Sequence, residues 1–181
     1  MRKIIVSLVA LIAVVAFLSS TAAAVSKVTL QPSSKSINSG DNITLDVVVT
    51  PDTQISGMQF DLEFNGTIFR VADVTEGKLF SQSGQTTLFS PGQAGDGSLR
   101  NVYGCILGSS TVSNPGVFAT ITLASDQGIQ GTSQICLKNV VISSSSSKPV
   151  DARLVNTSIT VSEPRKPKGN VLQLLIESLL G

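Results

Sequence analysis

Histidine and tryptophan are absent from this chain, tyrosine occurs once, and cysteine only twice. Without histidine the commonest general base and the commonest metal ligand are both missing. No serine or cysteine nucleophile can then be paired with its usual base, so the chain does not read as an enzyme. A glycosidase would need two carboxylates held across a cleft. Asp61 and Glu63 instead lie two apart in a strand-like stretch and point the same way from it. Asp41, Asp46 and Asp96 stand at turns and strand ends without the spacing of a calcium loop. Neither a catalytic residue, a metal nor a cofactor is therefore expected. The scarcity of planar aromatics also argues against a row of rings on which a crystalline polysaccharide could stack.

The first 24 residues are a separate matter. Arg2 and Lys3 are followed by an apolar run from Ile4 to Leu18, then by small residues ending in Ala22-Ala23-Ala24. That is the layout of a secretory signal peptide cleaved before Val25. The alternative is an uncleaved membrane anchor, although the run is shorter than the ~20 residues a spanning helix needs. Removing Arg2 and Lys3 from the 13 basic residues leaves 11 against 12 acidic ones. Such a balance favours neither a nucleic-acid partner nor an anionic membrane surface. Three acceptor patterns for N-glycosylation begin at Asn42, Asn65 and Asn156 and agree with a secreted, extracellular or cell-surface location.

What the chain does have is period-two patterning. In Ile55–Asn65, Met58, Phe60, Leu62 and Phe64 alternate with Gln59, Asp61 and Glu63. A strand would place the apolar four in a core and the polar three in a solvent-facing row. Asn65-Gly66 follows as a turn signal, read from the tolerance of both residues for positive φ. Similar short runs are predicted at 27–31, 43–50, 69–74, 86–90, 98–107, 117–123, 133–142 and 157–161, divided by Gly, Pro, Asn and Asp. In the run at 98–107, Val102, Gly104 and Ile106 should face inward, Tyr103 and Cys105 outward. Nine strands with no convincing helix among them predict an all-β antiparallel sandwich over residues 25–163. Residues 164–169, with two prolines and three positive charges, suit an extended linker. Asn170 could cap a short helix over 171–180, with Leu172, Leu175, Ile176 and Leu179 on one face, too short to span a bilayer; a loose tail over 170–181 is the alternative. Membrane contact is expected only through an uncleaved leader or this segment.

The order of pieces resembles a cohesin domain, the receptor module of cellulosome scaffold proteins. The resemblance is carried by Gly40-Asp41, by Ile55–Asn65, by Glu76-Gly77-Lys78-Leu79, and above all by Gly116-Val117-Phe118-Ala119-Thr120-Ile121 with Gly131 and Ile135 behind it. It covers residues 26–162. It implies a nine-stranded jelly-roll sandwich, related to some carbohydrate-binding modules, in which strands 8, 3, 6 and 5 form a flat face that binds the dockerin domain of a partner enzyme. Carried over by position, that face would show Gln59, Asp61 and Glu63 from strand three, Tyr103 and Cys105 from strand six, and Gln134 and Lys138 from strand eight. Many cohesins carry an Asn-x-Asp pair on strand three; Gly57 and Gln59 stand at those positions here.

The implied strand order also bears on the cysteines. Two cysteines in an exported chain suggest a disulfide. With strand three between them, however, Cys105 and Cys136 would sit ~9.6 Å apart, beyond the ~7 Å a bridge permits. A bulge or another strand order would reverse that. The expected function is a secreted dockerin-binding module, possible in polysaccharide degradation only as an accessory without chemistry of its own. The alternatives are polysaccharide binding by a hydrogen-bonding groove and a structural role at the cell surface.

Overall fold

A computed structural model describes residues 25–82, 84–146 and 148–164. The predicted signal peptide, most of the linker and the C-terminal helix lie outside the described residues. Among those described, every regular element is a strand: β1 (Ser26–Pro32), β2 (Ser36–Asn38), β3 (Asn42–Thr50), β4 (Ile55–Glu63), β5 (Arg70–Glu76), β6 (Thr87–Ser90), β7 (Gln93–Gly95), β8 (Ser98–Ile106), β9 (Gly116–Ala124), β10 (Gly131–Ser144), β11 (Pro149–Val150), β12 (Ala152–Val155) and β13 (Thr157–Ser162). The nine predicted runs correspond to β1, β3, β4, β5, β6, β8, β9, β10 and β13. The count of nine is corrected to thirteen by β2, β7, β11 and β12. These pieces of two to four residues are too short to show an alternation. They exist because a longer neighbour offers them hydrogen bonds.

The strands form two sheets. One has the order β12-β1-β3-β9-β5; the other runs β2-β13-β10-β4-β8-β6, with β11 added to β10 and β7 to β8. Alternation explains which side of each strand meets the other sheet. On β3, Ile43, Leu45, Val47 and Val49 are buried, and on β4 so are Met58, Phe60 and Leu62. Phe118 of β9 sits at the middle of the core, edge-on to Phe60, Phe80 and Phe89 at centroid distances of 6.0, 5.6 and 5.9 Å. Such pairs contribute about 0.5–1.5 kcal/mol each beyond the area they bury.

The turn after β4 forms for a different reason from the one the sequence suggested. Neither Asn65 nor Gly66 has positive φ. Asn65 Oδ1 instead accepts the Thr67 backbone N–H at 3.0 Å and the Thr67 hydroxyl at 2.8 Å, closing an Asx turn. Gly66 is required by space: a Cβ there would collide with the Asp96 carboxylate and with the Gly97 nitrogen at 2.6 Å. The turn thus locks the end of β4 against the β7–β8 hairpin.

Candidate docking face

The outer surface of β10-β4-β8-β6 is a four-strand platform in which β4 is flanked on both sides. Its side chains fall in rows set by the register. One row is Ser143, Gly57, Cys105 and Leu88; the next is Val141, Gln59, Tyr103 and Ser90. Further along β4, Lys138 stands opposite Asp61, and Cys136 and Ser98 flank Glu63. As predicted, Val102, Gly104 and Ile106 are buried while Tyr103 is exposed and Cys105 half-buried.

The platform has two unlike ends. Around Gly57 it is apolar: Leu88, Tyr103 and Val141 are 48 %, 43 % and 47 % exposed, and Leu107 continues the patch beyond β8. Gly57 leaves a shallow notch among Leu88, Tyr103, Cys105, Val141 and Ser143. Nothing in the backbone demands a glycine there, since a Cβ would find its nearest atom, Cys105 Cβ, at 3.4 Å. The opposite end is charged. Glu63 lies 3.7 Å from Arg100 and 3.8 Å from Lys138, and Arg100 also reaches Asp61 at 3.4 Å. The two exposed pairs made by Glu63 stabilise the fold by only about 0–1 kcal/mol, so their value lies in how they shape the surface.

One member of the expected solvent-facing row is misplaced. Asp61 is only 5 % exposed. It accepts the Asn101 backbone N–H at 2.7 Å and the Asn139 side-chain amide at 2.7 Å. The Asn101 hydrogen bond, with help from Asn139 and Arg100, holds its carboxyl below the ordinary value despite the opposing effect of burial. Gln59 is exposed and Glu63 half-buried, as a row along β4 requires. Gln134 is exposed but pairs with Ser158 on β13, beyond the end of β4, and is not part of the cluster.

Sequence reasoning missed Leu88, Val141 and Arg100. Phe89, half-buried against Phe118, marks the inward parity of this short edge strand and so Leu88 as outward. Val141 could not be found by counting from Lys138, because the register shifts between them. The cysteines are both free. Cys105 pairs with Gly57 and Cys136 with Glu63, so they are separated by six residues of β4 in addition to its width. That is about 20 Å along the strand, which excludes a bridge more firmly than the width alone. No group of three or more His, Cys, Asp or Glu side chains among the described residues is placed to hold a metal ion. No helix among them is long and apolar enough to cross a membrane.

A two-sheet β-sandwich with one flat, mixed apolar and charged platform is the class these features define. The model of the cohesin domain family matches residues 26–161, and the chain belongs to that family. No curated protein sequence matches it. Among solved structures, a type I cohesin from Pseudobacteroides cellulosolvens is similar at 19 % identity and TM-score 0.60, covering 81 % of this chain and 97 % of that one. A cohesin from a type I cohesin–dockerin complex of Clostridium thermocellum is 16 % identical, with TM-score 0.62 and coverage of 81 % and 99 %. A non-cellulosomal cohesin of the archaeon Archaeoglobus fulgidus is 14 % identical, with TM-score 0.59 and coverage of 77 % and 93 %.

Proposed function

We propose that the chain is a secreted receptor module that binds a dockerin-type protein domain on the outer face of β10-β4-β8-β6, without chemistry of its own. The observation that carries this reading is the concentration of Leu88, Tyr103 and Val141, all substantially exposed, on one flat sheet beside the Glu63–Arg100–Lys138 cluster. An apolar centre with a polar margin is the anatomy of a protein interface. Leu88, Tyr103 and Val141, with Cys105 beside them, form the centre; Gln59, Glu63 and Lys138 supply the polar margin, Asp61 supports it from beneath, and Gln134 stands apart from it on β10. Family membership and the dockerin complexes of structural neighbours favour a dockerin partner.

The notch at Gly57 gives the contact its own character. With no side chain on β4 at that point, the partner's insertion there is an apolar side chain packed between Leu88 and Val141, not a hydrogen-bonding group. A role in polysaccharide breakdown would then be indirect, through the enzyme that carries the dockerin. The sequence of 1–24 fits export, and the prolines and positive charges of 164–169 suit a spacer.

A panel of purified dockerin domains, assayed by calorimetry with calcium and with chelator, tests the proposal. Saturable binding of at least one, weakened by Tyr103→Ala, is the expected result. Failure of every dockerin, with retention of the protein on insoluble cellulose, chitin or xylan, would overturn it in favour of polysaccharide binding.

A further inference from the structure

Asp61 shares the outward parity of Gln59 and Glu63, yet it is closed over from both sides. On β8, Arg100 and Asn101 together stand opposite it, because Phe60 pairs with Val102 and Leu62 with Leu99. On β10, Asn139 and Val140 together stand opposite Phe60, because Lys138 pairs with Asp61 and Val141 with Gln59. Each neighbour of β4 therefore carries one extra residue, at adjacent levels of that strand. Asn101 and Asn139 have φ of 57° and 47° and are the non-glycine residues with positive φ among those described. Both give a hydrogen bond to the one carboxylate, Asn101 through its backbone to Oδ1 and Asn139 through its side chain to Oδ2. Positive φ is uncommon outside glycine, although asparagine tolerates it best.

The extra residues decide what the platform shows. Counting from Leu99 without the bulge, Val102 would stand outward beside Gln59, with Asn101 and Tyr103 turned to the core. Counting from Lys138 without the other bulge, Val140 would take the place of Val141. A one-residue slip exchanges the two faces of a strand. Here one slip on each side of β4 exchanges them only beyond the level of Asp61.

We propose that Asp61 is a positioning residue for the outer face: its buried carboxylate pins one bulge in each neighbouring strand, and the two bulges place Tyr103 and Val141 beside Gln59. The importance of those side chains for binding rests on the docking function proposed above; their placement by Asp61 does not. The carboxylate is ionised at neutral pH, which suits its acceptor role toward both asparagines. The charged groups around it are Arg100 from β8, Lys138 from β10 and Glu63 from its own strand.

The test needs no partner. In isotope-labelled full-length protein titrated into the acid range, the backbone amide signals of Asn101, Tyr103 and Val141 should shift together with one midpoint below the ordinary carboxylate value. In Asp61→Asn, of nearly the same shape, that common titration should be lost. Adding Asn101→Gly to Asp61→Asn removes the cost of positive φ and should return the Tyr103 signal toward its wild-type position; a mere packing defect would not be relieved this way. Asn101 titrating alone while Tyr103 and Val141 hold still would overturn the proposal, as would persistence of all three shifts in Asp61→Asn. Dockerin binding that fails while the common titration holds would count against the docking function and not against this role.

Discussion

Replacing Tyr103 by alanine is the sharpest probe of the platform. An aromatic side chain can bury about 150–250 Å². Tyr103 keeps 43 % of its surface exposed in the free protein, so covering it would remove roughly 65–110 Å² from water. At ~25 cal/mol per Å² that corresponds to about 1.6–2.7 kcal/mol, or a 15- to 100-fold rise in Kd. Its neighbours Gln59 and Ser90 are polar, so they cannot replace the apolar surface that is lost. The fold should be little disturbed, because the inward partners Val102 and Gly104 are untouched. Calorimetric titration of a bound dockerin with Tyr103→Ala, alongside Gln31→Ala on the other sheet, measures the difference directly. As the chain's single tyrosine and with no tryptophan present, Tyr103 also reports binding through its own fluorescence in the unmodified protein. If Tyr103→Ala and Gln31→Ala bind within twofold of each other, the apolar platform is not the contact.

Three other outcomes follow from the packing. Phe118→Leu keeps an apolar side chain but loses three edge-on ring contacts, and should lower unfolding free energy by about 2–4 kcal/mol in urea titration. A loss under about 1 kcal/mol would mean the rings contribute only bulk. Gly77→Ala should destabilise by about 1–3 kcal/mol, because its Cβ would overlap the backbone carbonyl of Val117 where the chain leaves β5; backbone cannot swing aside as a side-chain tip can. Asp61 has a folded-state pKa below its ordinary value of 3.8, so its ionisation contributes stability that is complete above that value. The contribution is lost as pH falls through the lower, folded value. The stability gap between wild type and Asp61→Asn should therefore be level near neutrality and close in strong acid; a gap that stays constant throughout would refute the assignment.

The sandwich was legible because its main strands carry their own alternation. Ile43, Leu45, Val47 and Val49 announce both a strand and its buried side with no knowledge of what they meet. The run 117–123 was also read as a strand, and β9 pairs with β3 along nearly its whole length, although a register shift at Phe118 buries it together with its neighbour Ala119. The short strands β2, β7, β11 and β12 were illegible for the opposite reason, since only a partner's backbone defines them. The Asn65-Gly66 turn was found, but its cause was not: the crowding of Gly66 by Asp96 is a contact between residues thirty apart. Of the predicted platform residues, Gln59, Glu63, Tyr103, Cys105 and Lys138 come together, while Gln134 lies past the end of β4.

Asp61 shows why parity counted along one strand is an incomplete guide to what faces water. Alternation fixes the direction of a side chain relative to its own backbone, but exposure depends on what the neighbouring strands do at that level. Both neighbours left a trace in the sequence: Asn101 and Asn139 are asparagines within otherwise strand-like runs, where a side chain that tolerates positive φ has no obvious use. Their buried partner could not be read from either trace alone. A carboxylate on the middle strand accepts from both bulges, so the strain of each and the burial of the charge are offset by the same pair of hydrogen bonds. Removing either asparagine's donor leaves Asp61 under-satisfied, and removing Asp61 leaves two bulges unsupported. The three residues therefore act as one unit, and a double-mutant cycle between positions 61 and 139, whose side chains meet directly, should show strong coupling where two independent surface residues would show none.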